Sequence, residues 1–180
     1  MRGTRRFGWV AAAALAAGLT LGAAPAGAAT TFVQSHGQLS DLAPSAENAT
    51  DGAHASLWVL ASGGSTTFWL LVTGLDPASA GTTFGVHVHV GPCVAGNGAA
   101  AGPHYNTGGT ATPETEVWLD FTVLPGGFGY AVAHVPFEIV PGTAQSIVIH
   151  AEPTQEGGST PGAAGSRQAC LPVDFSGLRF

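Results

Sequence analysis

Thr83-Phe84-Gly85-Val86-His87-Val88-His89-Val90 is the stretch whose alternation decides the fold. Side chains two residues apart on a β-strand point to the same face. Val86, Val88 and Val90 therefore face a core, while His87 and His89 project from the other side. At the usual rise of ~3.3 Å per residue the two imidazoles stand about 7 Å apart along one wall. Two imidazoles on a rigid wall are half of a metal site. The competing reading is a pair of ordinary surface histidines, so the rest of the chain has to supply more ligands.

The same period of two, punctuated by Gly, Pro and Ser, predicts strands over 31–39, 55–61, 66–75, 82–91, 116–124, 128–135, 145–151 and 170–175. Ser62-Gly63-Gly64-Ser65 and Pro125-Gly126-Gly127 read as hairpin connections. No segment holds a 3.6-residue period. The fold class is all-β, with eight antiparallel strands in a sandwich or flattened barrel. Trp58, Trp69 and Trp118 fall on alternating strand positions and are expected in the core. Two long connections, 92–115 and 152–169, are rich in Gly, Ala and Pro, and loops of that length in one domain usually carry function.

The amino terminus has Arg2, Arg5 and Arg6, an apolar run over 9–21 and Ala26-Gly27-Ala28. This reads as a secretory signal over 1–28, cut after Ala28, with an uncleaved anchor as the alternative. What remains, 29–180, is one domain's length, placed in a periplasm-like space, on the wall or in the medium. It has no lysine, two arginines (Arg167 and Arg179) and 11 acidic residues, a formal net charge of −9. That excludes nucleic acid and anionic membrane surfaces as partners. Cys93 and Cys170 are an even pair in an exported chain and favour a disulfide, two free thiols being the alternative.

Two further histidines suit the wall. His104 lies in the first long loop, in Gly102-Pro103-His104-Tyr105-Asn106, and His150 ends Ser146-Ile147-Val148-Ile149-His150 with Ile147 and Ile149 pointing inward. Four imidazoles from two strands and a loop suit copper or zinc. His36, His54 and His134 have no partner two residues away and read as surface or strand-face residues.

Taken in order, Gly85-Val86-His87-Val88-His89, Cys93, Gly102-Pro103-His104-Tyr105-Asn106, Ile147-Val148-Ile149-His150 and Gly165-Ser166-Arg167-Gln168-Ala169-Cys170 resemble the copper/zinc superoxide dismutases. The resemblance implies an eight-stranded Greek-key β-barrel. It implies copper bound by His87, His89, His104 and His150, with His104 in the place that bridges copper to zinc in two-metal members and taking part in proton delivery. It further implies a Cys93–Cys170 disulfide and Arg167 as the guide for a small anion, superoxide.

The chain departs from the family where zinc would bind. Residues 105–119 contain no histidine, only Glu114 and Glu116, and His104 with one carboxylate does not complete a tetrahedral zinc site. The resemblance is thus to the copper-only branch, without zinc. Glu116 (or Glu114) is then the carboxylate expected to hold the far nitrogen of His104, a plain surface acid being the alternative. The expected function is superoxide dismutation. The second reading is an exported copper-buffering protein of the same fold. Family members occur as monomers and dimers, and no strand here advertises an exposed apolar patch.

Overall fold

The computed structural model describes residues 29–178; the expected signal segment, 1–28, lies outside the described residues. Ten strands run in the order β1 (Thr30–Gln38), β2 (Ser40–Asp41), β3 (His54–Ser62), β4 (Ser65–Thr73), β5 (Thr83–Phe84), β6 (Val86–His89), β7 (Phe121–Thr122), β8 (Phe128–Val135), β9 (Ser146–His150) and β10 (Arg167–Pro172). All pairings are antiparallel. One four-stranded sheet has the order β1-β3-β4-β8, a second β2-β10-β9-β6, and β5-β7 forms a short ribbon. The all-β antiparallel architecture is as expected from the sequence. Among the described residues no sheet closes on itself, and no helix is long and apolar enough to cross a membrane.

The core lies between the two four-stranded sheets. Leu57, Val59, Phe68, Leu70 and Val72 point inward from one, and Val86, Val88, Ile147, Ile149 and Leu171 from the other. The tryptophans do not follow the sequence reading. Trp58 and Trp69 take the opposite parity to Leu57, Val59, Phe68 and Leu70, so they pair with each other on the outer face. Either parity of these strands is apolar. The inward one is the branched and phenyl set that fits between sheets.

Two expected strands break where their backbone has other duties. The run over 82–91 is divided at Gly85, where an added Cβ would meet Ala164 Cβ at 2.6 Å and the Glu152 carbonyl oxygen at 2.8 Å. The second long loop thus presses directly on the strand, and the Gly85 amide donates to the Glu152 carbonyl at 2.8 Å. The run over 116–124 keeps regular pairing only at Phe121–Thr122, with Glu116 and Trp118 held in isolated bridges to Asn106 and His87. The last strand begins earlier than expected, at Arg167, and Phe175 falls in a short 3-10 turn.

A small second cluster, Leu42, Ala101, Val148 and Cys170, covers the other face of the β6–β9 sheet. Cys93 bonds Cys170 across 77 residues of chain and fastens the first long loop to β10. In the chain-entropy account a closed loop of that size stabilises by about 4 kcal/mol. Reduction of the disulfide is therefore expected to lower the melting temperature by on the order of 10 °C, read by thermal unfolding with and without reductant.

Candidate metal centre

Pairing of β6 with β9 sets Val86 opposite Ile149 and Val88 opposite Ile147, with the core beneath them. His87 and His89 then point to the far face, and His150 joins them from the end of β9, its amide donating to the Gly85 carbonyl at 2.8 Å. His104 arrives from the first long loop and is pinned to His89 by an isolated bridge. One ring nitrogen from each of the four lies within 4.8 Å of the others, the one such cluster among the described residues. The four-histidine convergence expected from the sequence is in place.

The hydrogen bonds fix which nitrogens are free. His89 Nδ1 lies 3.1 Å from the Gly102 carbonyl, and His150 Nδ1 lies 3.3 Å from the Gly165 carbonyl. A carbonyl only accepts, so both Nδ1 atoms carry the proton. Their Nε2 atoms face each other at 3.2 Å. In neutral rings that sets lone pair against lone pair, an arrangement satisfied by a shared electron-pair acceptor. His104 Nδ1 donates to Glu116 Oε2 at 3.0 Å, which leaves its Nε2 bare.

His87 is held the other way round. Thr154 Oγ1 donates to Asp120 Oδ1 at 2.6 Å and sits 2.8 Å from His87 Nε2. Having given its only proton to the aspartate, the threonine must accept from His87. His87 Nδ1 is then unprotonated, and it is buried with no hydrogen-bond partner. An orphaned buried lone pair of this kind is costly unless something binds it. Four bare nitrogens, one of them orphaned, fit a metal ion.

Electrostatics agree. His87 and His89 are fully buried and His150 is nearly so. Burial pushes His87 far below the ordinary imidazole range, His89 down to about 3 and His150 to about 4, and the neighbouring His104 adds to the depression in all three. These rings are neutral at pH 7 with lone pairs ready to ligate. His104 is the exposed member, with 19% of its side chain open, so the cluster meets solvent at that edge.

Glu116 rather than Glu114 is the carboxylate beside His104; Glu114 sits in an exposed turn. Burial alone would raise the Glu116 carboxyl, but hydrogen bonds from His104, Trp118 and Asn106 outweigh it and hold the group below its usual value. Trp118 Nε1 and Asn106 Nδ2 each donate to it at 3.0 Å. Trp118 thus belongs to the site and not to the core. Arg167 stands opposite His150 where a register shift interrupts the β9–β10 pairing. A bulge of this sort re-aims a side chain. Its two terminal nitrogens donate at 2.6 Å to the carbonyls of Gly98 and Gly102. His36, His54 and His134 lie far from this centre, exposed on the outer face of the other sheet.

Asp120, Thr154 and Gly85 were not among the residues expected from the sequence. Asp120 had a visible signal, a lone acid inside Val117-Trp118-Leu119-Asp120-Phe121. Thr154 had none. If the Asp120–Thr154 pair selects the ligating tautomer, Thr154→Val should weaken metal binding about 10- to 100-fold, as loss of an outer hydrogen-bond partner typically does, measured by competition with a chelator.

No protein-family model matches the chain, and no curated protein matches it. Solved structures do. A Cu/Zn superoxide dismutase from Brucella abortus superposes with a TM-score of 0.56, covering 81% of this chain and 100% of that one at 19% identity. A SOD-like protein from Bacillus subtilis, in a double-mutant form, gives 0.56 over 77% of this chain and 96% of that one at 17% identity. A single-mutant form of a SOD-like protein from the same organism gives 0.57, covering 77% and 97% at 17% identity. At such identities the likeness is one of backbone, and it is the likeness the motifs pointed to: the chain has the antiparallel β-sandwich fold of the Cu/Zn superoxide dismutases and SOD-like proteins.

Proposed function

We propose that the protein is an exported, copper-dependent superoxide dismutase whose working part is the domain 29–180, with its sandwich read as a flattened Greek-key barrel. The observation that carries this reading is the set of four unprotonated ring nitrogens gathered at one point with a guanidinium beside them. His87 through Nδ1, and His89, His104 and His150 through Nε2, are the ligands. An all-imidazole set serves copper in both of its common oxidation states. Bound copper supplies the one-electron exchange by which one superoxide is oxidised to oxygen and a second, with two protons, becomes hydrogen peroxide.

The chain's own residues do the rest. Arg167 spends two of its five N–H donors on Gly98 and Gly102 and keeps the others for an anion, at an open depression lined by Gly98, Ala99 and Gly102. With a net charge near −9 the domain does not attract superoxide from a distance, so Arg167 acts at short range. His104 sits at the solvent edge with Nδ1 held by Glu116, so its Nε2 is the place where a proton can be taken up and passed on. Glu116, gripped also by Asn106 and Trp118, fills the position beyond His104 where a second metal would need further ligands. We therefore read the site as copper alone.

A copper-buffering protein is the second reading, and Arg167 speaks against it, since a store needs no anion guide. Metal analysis and direct observation of superoxide decay on the purified protein separate the readings. Bound copper with rapid decay is the expected result; copper without turnover leaves the buffer, and no copper overturns both. In the copper-loaded protein Arg167→Ala is expected to slow the reaction about 10-fold and flatten its dependence on ionic strength. An unchanged rate would remove Arg167 from the mechanism.

A further inference from the structure

The outer face of the β1-β3-β4-β8 sheet differs from what the sequence led us to expect. Its central cross-strand row is Gln34, Trp58, Trp69 and Val132, with Phe32, Leu71 and Tyr130 in the adjoining rows. Phe32 is 55% exposed, Trp69 38%, Val132 59% and Tyr130 64%. This is a contiguous apolar surface, correcting the expectation that no strand presents one. Nothing among the described residues packs over it. The exposed face of an antiparallel sheet is ordinarily polar, and a large apolar patch on a soluble domain marks an interaction surface.

Charge narrows the choice of partner. None of the outward positions of these four strands is Asp, Glu, Lys or Arg, although the domain carries 11 acidic residues. Two copies at −9 each repel through every other surface, but not through this one. The lack of any lysine or arginine at the face also removes the usual means of holding an anionic membrane or nucleic acid. Size fits as well. Four strands about 4.8 Å apart and some nine residues long give a planar footprint of roughly 570 Å², more once side-chain relief is counted. A standard interface buries about 800 Å² per partner.

We propose that the protein is a homodimer formed by two copies packing this face against itself. The contact is isologous, so one patch supplies both halves. Two such sheets stack about 10 Å apart, aligned to within about 30°, which brings the Trp58–Trp69 pairs of both copies to the centre.

Sedimentation equilibrium of the purified protein at about 100 μM tests this. The expected result is a species of twice the chain mass. Val132→Glu and Tyr130→Glu, at positions open enough to leave the fold intact, should each raise the dimer dissociation constant about 100-fold or more, because each dimer would bury two unpaired carboxylates. Val94→Glu, an equally exposed apolar site away from this sheet, should leave it unchanged. Circular dichroism establishes that each variant is folded. A monomer at that concentration overturns the proposal. So does a dimer indifferent to both face variants, or a monomer whose face instead binds lipid vesicles or an insoluble polysaccharide.

Discussion

The register of β6 against β9 is the constraint from which the metal centre follows. With Val86 on Ile149 and Val88 on Ile147, the core holds one side of the strand pair and so dictates where the imidazoles on the other side stand. A slip of one residue would turn every ring into the core and every valine out of it. The position of His87 and His89 is therefore guaranteed by apolar packing, not by the ligands themselves. His104 and His150 are then brought up by devices that cost little: a loop fastened by a disulfide and a strand end capped by the Gly85 carbonyl.

The centre was legible from the sequence because strand parity is a local rule. His87 and His89 share a face by spacing alone, and Ile147 and Ile149 put His150 outward in the same way. The Cys93–Cys170 pair likewise needed only the count and the compartment. What stayed hidden depends on approach in three dimensions. Thr154 reaches His87 because Gly85 leaves room for the second loop, and no spacing along the chain announces that. The tryptophans were misplaced for a different reason. In His54–Ser62 and Ser65–Thr73 both parities are apolar, so alternation does not say which side is inside.

The two sheets divide the chain's labour by face. One sheet turns its inner side to the core and its outer side to the histidines, and there loops cover it so thoroughly that all four residues of β6 are buried. The other turns the same kind of inner side to the core but is left bare outside, with its aromatic residues and the three remaining histidines in the open. Polar loops over the first and apolar side chains on the second are the two ways to deal with a sheet face, and this chain uses one on each.

The carbonyl oxygen of Gly102 accepts from His89 Nδ1 and from an Arg167 terminal nitrogen at once. A single acceptor thus joins the ring that ligates to the cation that receives. When an anion draws the guanidinium toward itself, the pull is transmitted through that oxygen to the imidazole, so affinity for the incoming charge and the stiffness of the ligand cage rise or fall together.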